Sequence, residues 1–240
     1  MTRLTPTLTP NLTLAEIVNT HPSLARHLEV RDLDYCCGGA TTLEDACTTN
    51  GLDVATVLDE LADAATHEPA DTWPTMGLVE LVDHLEATHH AYLWSELPRL
   101  SALMDKVIGV HGERHPELGD IGDCFSTIRA DLEPHLLKEE RVLFPMVREL
   151  ATADSLPSFP SGPIQNPISV MLTEHDTVGD LLRRLRSLTD GYTPPADGCG
   201  SYVALFAGFE AMEADTHLHI HKENNLLFPV VLAVEQRLMA

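Results

Sequence analysis

Two copies of one short motif constrain the fold of this chain more than any other feature of its sequence. One copy occupies residues 135–145 and the other residues 219–229, and in both a histidine is followed four residues later by a glutamate and then by Leu-Phe-Pro. Residues four apart lie one turn apart on the same face of an α-helix. Each copy therefore directs an imidazole and a carboxylate to one side of a helix, as His135 with Glu139 and His219 with Glu223.

The residues one or two turns away from each pair are mostly apolar, such as Leu132 and Val142 around the first pair and Phe209 and Leu226 around the second. An ionised carboxylate in such surroundings is costly unless a cation is paired with it. A coincidental pair of core histidines hydrogen-bonded to glutamates is the alternative. Because the motif is repeated, we favour a bound metal that provides the cation.

Two further histidines complete a symmetric set of candidate ligands. Helical spacing predicts four long helices, at residues 77–107, 120–151, 168–188 and 201–238. Their connecting loops make an antiparallel, up-down-up-down four-helix bundle the expected arrangement. The first and third helices each carry one histidine among apolar residues. The predicted metal ligands are His84, His135, Glu139, His175, His219 and Glu223.

The chain is predicted to be all-α, with a small helical N-terminal module at residues 1–70 and the bundle domain at residues 71–240. A helix is expected after Thr13, which can form a capping box with Glu16. Further short helices are expected at residues 23–30, from residue 42 and at residues 53–66. Residues 1–11 are predicted to be a loose tail, and the prolines within residues 68–75 indicate a linker. Proline at positions 145 and 229 should kink or restart the helix that contains it.

The composition restricts the partners and the compartment. Acidic residues outnumber basic residues by 37 to 15, and the net charge is −22. Nucleic acids and anionic membranes are disfavoured as partners, because binding to them requires clustered lysine and arginine. The five cysteines lack regular spacing, the N-terminus lacks the pattern of a signal peptide, and no apolar run has the length of a membrane span. These observations predict a reduced, cytoplasmic protein.

The six predicted ligands would give each of two metal ions two imidazole nitrogens and two carboxylate oxygens, with both glutamates as bridges. Room would remain for an oxo or hydroxo bridge and for one open position. Mixed imidazole and carboxylate ligation suits iron better than manganese or zinc. Carboxylates beside the ligands, such as Glu140 and Glu174, could orient the imidazoles through their second nitrogen. An open position on a redox metal inside a bundle indicates small-molecule binding or electron chemistry.

Several motifs spread along the chain occur together in one known family. They are residues 34–39 (Asp-Tyr-Cys-Cys-Gly-Gly), Asp83-His84, residues 135–140 with 143–145, residues 162–164 with 174–176, and residues 223–225 with 227–229. With these motifs the chain resembles the hemerythrin-like, di-iron iron–sulfur cluster repair family (repair of iron centres) over nearly its whole length. It departs from the family pattern at the histidines His217 and His221 and in a long loop at residues 155–167.

The resemblance implies a non-heme di-iron centre with the same six ligands, and a role in repairing iron–sulfur clusters damaged by nitric oxide or oxidative stress. Iron donation and nitric oxide reduction at a diferrous centre are both open mechanisms, so enzymatic activity is undecided. The implied partners are damaged iron–sulfur proteins and nitric oxide or oxygen. The oligomeric state is open, with a dimer through the N-terminal module as one arrangement. The rival functions are a carrier or sensor that binds oxygen or nitric oxide without turnover, and a metal-stabilised interaction protein.

The adjacent residues Cys36 and Cys37 do not readily form a disulfide with each other, because the geometry is strained. From the residues alone, a loop whose thiols exchange or pass on iron and a pair of thiols that fill a small core are equally well supported. The resemblance favours a functional thiol role.

The remaining histidines receive less specific expectations. Surface positions are expected for His217 and His221, and surface or outer positions around the site for His89 and His90. A place for His111 over the mouth of the site is left open.

Overall fold

The computed structural model describes residues 8–65 and 73–239. Among these residues the secondary structure is helical, apart from one isolated antiparallel bridge between Thr13 and Thr42. The predicted all-α fold is therefore confirmed. The first seven residues of the predicted tail, the predicted domain boundary at residue 70 and most of the predicted linker lie outside the described residues.

The described residues form two compact units, and each contains one copy of the repeated motif. The first unit contains residues 8–65, 73–77 and 217–230, and the second contains residues 78–216 and 231–239. In this division the segment that carries the second motif groups with the N-terminal module, and the predicted domain boundary stays a prediction. The histidine and glutamate of that motif are therefore described with the first unit, and those of the first motif with the second unit.

Four short helices precede the bundle in the first unit. They are α1 (Leu14–Thr20), α2 (Ala25–Glu29), α3 (Leu43–Thr49) and α4 (Val54–Ala65). The predicted capping box is present at α1: the Thr13 hydroxyl accepts from the Glu16 backbone, and the Glu16 carboxylate accepts from the Thr13 backbone at 2.9 Å. Such a box satisfies two backbone donors that would otherwise be unpaired. Apolar side chains from these helices form one core with Trp73 and Ile220.

Long helices form the core of the second unit. The remaining α-helices of the described residues are α5 (Leu78–Leu85), α6 (Ala91–His111), α7 (Leu118–Lys138), α8 (Phe144–Thr152), α9 (Gln165–Leu188), α10 (Gly200–Lys222) and α11 (Phe228–Met239). Apolar side chains of α6, α7, α9 and α10 pack in a single core, in which the rings of Phe125 and Phe209 lie 4.9 Å apart. This is the helical bundle that the sequence predicted.

Three π-helical turns interrupt the predicted long helices, at Glu86–His90, Glu139–Leu143 and Glu223–Leu227. The residue after each turn donates its backbone N–H to the carbonyl five residues earlier, as Phe144 does to Glu139. Proline follows at positions 145 and 229 and has no N–H to continue an α-helical ladder. The predicted restart of both helices at these prolines is confirmed. A π turn precedes each restart, and a new α-helix begins at Phe144 and at Phe228.

Within the described parts of the chain, no helix combines the length and the apolar character needed to cross a bilayer. All five cysteines lie in described segments and are free thiols. The structure thus contains no disulfide among these cysteines.

The ring of Phe209 anchors the bundle core and is fully buried. We expect Phe209→Ala to lower the free energy of unfolding by about 3–5 kcal/mol, because it removes a large buried ring and leaves a cavity. Urea unfolding monitored by circular dichroism would measure this loss. Val203 lies on the same helix and is 48% exposed, so Val203→Ala is the control and should change stability by less than about 0.5 kcal/mol. Equal effects of the two substitutions would contradict the assigned core.

Candidate metal centre

The second unit brings three of the predicted ligands together. One donor atom from each of His135, Glu139 and His175 lies within 4.8 Å of the others, and all three residues are buried. Nε2 of His135 lies 3.3 Å from Oε1 of Glu139, and the His135 and His175 ring centroids are 5.0 Å apart. Helices α7 and α9 supply the histidines, and the first residue of a π turn supplies the carboxylate.

On the helix that precedes α6, the structure places His90 rather than the predicted His84 beside Glu139. Nε2 of His90 lies 3.4 Å from Oε2 of Glu139, and the side chain is almost completely buried. His84 is only half-buried, and its ring packs edge-on against His89 at 6.1 Å. The sequence argument assumed an unbroken α-helix through residues 77–107, and the π turn that ends at His90 changes the phase.

Two carboxylates fix the orientation of two of these imidazoles. Oε2 of Glu174 lies 2.9 Å from Nδ1 of His135, and Lys138 forms an ion pair with the same carboxylate. The His135 ring and then the Lys138 ammonium lower the pKa of Glu174 to about 2. A carboxylate at Nδ1 favours the tautomer with its proton on that nitrogen, which leaves a lone pair on Nε2. Nε2 is the His135 nitrogen that faces Glu139.

Glu140 has the corresponding role at His90. Its Oε1 lies 3.0 Å from Nδ1 of His90 and accepts a hydrogen bond from the Trp94 indole at 2.8 Å. The sequence proposed Glu140 and Glu174 for this role, and the structure identifies the rings that they hold. Each carboxylate contacts a histidine on a different helix. Asp83, a third acidic neighbour of a predicted ligand, instead forms an ion pair with Arg148 at 2.7 Å.

The second motif has the same local geometry within the first unit. Nε2 of His219 lies 3.4 Å from Oε1 of Glu223, and both side chains are fully buried. Glu223 begins a π turn, as Glu139 does, and the helix restarts at Phe228. The two motifs are therefore alike in spacing, burial and backbone form.

These residues fit a metal ion. Three histidine-to-carboxylate distances of 3.3–3.4 Å exceed those of good hydrogen bonds, which are about 2.7–3.2 Å. Two donors bound at about 2.1 Å to one ion, in tetrahedral or octahedral geometry, lie about 3.0–3.4 Å apart. Fully buried carboxylates also need a cation to offset the cost of desolvation. Imidazole with carboxylate is a donor set suited to iron and other borderline metals.

The adjacent cysteines lie in a loop that is hydrogen-bonded to the π turn of the second motif. The Asn225 side chain donates to the carbonyls of Tyr35 and Cys36, and Asn224 donates to that of Cys36 at 3.3 Å. His221 adds a contact of 3.0 Å between its Nδ1 and the Tyr35 carbonyl. All of these groups belong to the first unit, so the cysteine loop and Glu223 share one compact framework.

The two thiols differ in their surroundings. Cys36 is buried, and its sulfur lies 3.9 Å from the Cys37 sulfur and 3.2 Å from Oδ1 of Asp34. The Cys37 thiol, burial and the Asp34 charge raise the pKa of Cys36 well above the usual range. Cys37 is half-buried. Donor atoms of Asp34, Cys36 and Cys37 lie within 4.8 Å of one another, so this loop could also hold a cation.

The structure excludes surface positions for His89, His90 and His221, of which His89 and His90 were expected either at the surface or in outer positions around the site. His89 is buried with Nδ1 2.9 Å from Oδ1 of Asp215, and His90 is buried at the centre described above. His221 is fully buried because the first unit covers it, and His217 is mostly covered, with Nδ1 3.7 Å from Glu29. The side-chain exposure of His217 is 16%.

His111 does not cover the mouth of this centre. It ends α6, and an α-helix of that length separates it from His90 by about 30 Å. A sequence signal for His90 did exist. Residues 90, 93, 97, 100, 104, 107 and 111 repeat at steps of three and four, and the apolar positions of that stripe are all buried.

Comparisons with known proteins find a cation binding domain over the part of the chain that contains both motifs. The model of the hemerythrin HHE cation binding domain matches residues 80–231, and that of a domain of unknown function (DUF542) matches residues 10–65. The chain is 35% identical to the iron–sulfur cluster repair protein YtfE of Enterobacter sp. (strain 638) over 222 residues, which are 92% of this chain and 97% of that protein. It is 35% identical to the probable iron–sulfur cluster repair protein of Haemophilus influenzae over 224 residues, which are 91% and 96% of the two chains.

The cysteine loop depends on a glycine. A Cβ atom at Gly39 would lie 2.7 Å from both the Asn225 side-chain oxygen and the Tyr35 carbonyl. We therefore expect Gly39→Ala to displace the loop and to cost about 1–3 kcal/mol of stability, with faster alkylation of Cys36. Urea unfolding and the rate of reaction with iodoacetamide would measure both effects.

Gly109→Ala is the matched control. A Cβ atom there, within α6, would meet no atom within 4 Å. Alanine is favoured over glycine in a helix by about 1 kcal/mol, so this variant should be neutral or more stable. A Gly39→Ala protein as stable and as slow to alkylate as the Gly109→Ala protein would show that the loop is not held as described.

Proposed function

Since the chain belongs to the iron–sulfur cluster repair family, with its hemerythrin-like domain, we propose that it repairs iron–sulfur clusters damaged by nitric oxide or oxidative stress. The observation that carries the proposal is the conjunction of the buried histidine and glutamate groups with the cysteine loop, which is hydrogen-bonded to one of the two motifs. A carrier of oxygen or nitric oxide would have no need for such a loop. The cytoplasmic location and the dimer stay predictions.

The proposed ligands are those of the sequence analysis with one change. Two non-heme iron ions would be held by His135, Glu139, His175, His219 and Glu223, with His90 in the place first given to His84. The hemerythrin match supports iron, and the distance of 3.4 Å between His90 and Glu139 supports the exchange. The likeness of the two motifs supports a metal-binding role for both carboxylates.

When bound, the two iron ions would supply redox chemistry and binding of a small ligand. The surrounding residues have separate tasks. Glu140 and Glu174 hold the Nδ1 atoms of His90 and His135, which keeps each Nε2 directed towards Glu139. Burial around these groups excludes water and strengthens the attraction between the buried carboxylates and a cation. The choice between iron donation and nitric oxide reduction is not part of the proposal.

We assign the cysteine loop a role in exchange with the damaged protein. Cys37 is half-buried and therefore the more accessible thiol, whereas Cys36 is buried and protonated. Asp34 accepts hydrogen bonds from the backbone N–H groups of Cys36 and Cys37, at 3.1 and 3.0 Å, and so holds both sulfurs at one end of the loop. Two thiols beside a carboxylate are a donor set for a transiently held iron ion.

Two histidine variants test the ligand assignment. His90→Ala should lose about half of the iron or more, because it removes a direct ligand, whereas His84→Ala should keep its iron. Glu139→Gln preserves the shape of the side chain and removes the bridging charge, so it should also lose iron. Iron would be determined by atomic absorption on protein purified anaerobically. A His90→Ala protein with full iron and a His84→Ala protein without it would restore the original assignment.

An anaerobic repair assay tests the function itself. The protein should reactivate an iron–sulfur enzyme that nitric oxide has inactivated, and Glu139→Gln should abolish this activity. The double variant Cys36→Ala with Cys37→Ala should keep its iron but repair about tenfold more slowly or worse, since the thiols act in exchange.

Cys47→Ala is the control for the double variant, because Cys47 is buried in the first unit away from the loop sequence. Its repair activity should equal that of the unchanged protein. A reversible optical change with oxygen or nitric oxide, without any reactivation, would support a carrier instead. Full repair by the double variant would return both cysteines to a packing role.

A further inference from the structure

A second group of metal-binding side chains lies at the other end of α6, where His111 ends the helix. One donor atom from each of His111, His115 and Asp197 lies within 4.8 Å of the others. His111 and His115 come from the end of α6 and the turn after it, and Asp197 comes from the loop before α10. The group belongs wholly to the second unit and is separate from the proposed di-iron centre.

His115 is held between two carboxylates. Its Nδ1 lies 2.8 Å from Oε1 of Glu117, and its Nε2 lies 2.9 Å from Oδ1 of Asp197. If Nδ1 carries the proton for Glu117, the Nε2 lone pair faces a carboxylate oxygen, which is repulsive. Either the ring is an imidazolium that donates to both acids, or a cation lies between Nε2 and Asp197. Carboxylate at one imidazole nitrogen and metal at the other is the usual arrangement of a histidine ligand.

The buried ring of His111 favours the second explanation. His111 is 3% exposed, and the Arg114 guanidinium, 3.2 Å from its Nδ1, can only donate to it. An imidazolium at His115 has no free lone pair and makes no bond to His111, whereas a cation in place of Arg114 can bind both imidazoles and Asp197 at once, because one donor atom of each lies within 4.8 Å of the others. The Tyr202 ring packs edge-on against His111 at 5.4 Å and against His115 at 5.8 Å, which holds both imidazoles in place.

A thiol lies beside the same group. Cys199 is exposed and comes two residues after Asp197, immediately before α10. Its side chain is within hydrogen-bonding reach of the His111 side chain and of the Tyr202 backbone N–H. Cysteine binds metals as the thiolate.

We propose that His111, His115 and Asp197 form a zinc-class site, with Cys199 as the fourth ligand. Two imidazoles, a carboxylate and a thiolate are a donor set that suits Zn²⁺ in tetrahedral coordination. Arg114 competes with the ion, because its guanidinium lies 3.2 Å from Nδ1 of His111 and 3.9 Å from Asp197. The Arg114 side chain is 62% exposed, so it can turn into solvent at little cost.

Zinc titration of the iron-loaded, full-length protein against a chromophoric chelator tests the site. We expect one further equivalent of Zn²⁺ to bind. Glu117→Gln should weaken this binding by about 10- to 100-fold, because it removes the carboxylate that orients His115. His115→Ala and Asp197→Asn should weaken it more, and Arg114→Ala should strengthen it. Glu113→Gln, an exposed acid in the same turn, is the control and should bind as the unchanged protein does.

Cobalt substitution tests the place of the thiol. Co²⁺ bound at this site should show a thiolate-to-metal charge-transfer band, and Cys199→Ser should remove the band and weaken zinc binding. Circular dichroism and iron content should be the same in all variants, which separates this site from the di-iron centre.

Three outcomes would overturn the proposal. They are no binding beyond the iron centre, further zinc that His115→Ala and Asp197→Asn retain, and an absent charge-transfer band with unchanged zinc affinity in Cys199→Ser. If no further zinc binds, an NMR titration should find a raised pKa for His115, because Glu117 and Asp197 would then stabilise its imidazolium. The proposal does not depend on the repair function, since zinc affinity is measured without any repair assay.

Discussion

The complete burial of two carboxylates is the constraint on which the rest of this structure depends. Glu139 and Glu223 are both fully removed from solvent, although a buried carboxylate is among the most costly groups that a protein can contain. In each motif an imidazole one helical turn earlier faces the carboxylate at slightly more than hydrogen-bond distance. The acids and histidines of each motif are therefore arranged to accept a cation, and the apolar surroundings within each unit lower the local dielectric, which would strengthen its binding.

Much of the fold and of the metal centre could be predicted from the sequence, because it depends on the spacing of residues along helices. The capping box at Thr13, the breaks before the two prolines, and the pairing of His135 with Glu139 all follow from helical periodicity or local chemistry. The fold class follows from four long amphipathic segments. The family, which the comparisons show, was recognised from motifs spread over the same chain.

The errors have one shared physical cause. Periodicity assumes a constant number of residues per turn, and each π turn adds one residue. His90 was therefore judged to point away from the centre, although it continues the buried stripe through Leu93 and Leu97. His221 was assigned to the surface for a different reason: the helix is covered by a loop more than 180 residues earlier in the chain, and periodicity carries no information about such contacts.

The π turns also constrain the number of residues in the helices around each motif. The turn at Glu139–Leu143 gives the Glu139 carbonyl a donor five residues ahead, and the sequence on either side is in phase with that extra residue. Deletion of one residue within it would restore an ordinary α-helix and leave the flanking segments in phase, but deletion of one residue from α7 with the π turn kept would rotate everything that follows by about 100° about the helix axis. Phe144 and Val147, now inward, would turn towards solvent. The helices on either side of the turn should accordingly tolerate exchange of an outward side chain far better than the gain or loss of one residue.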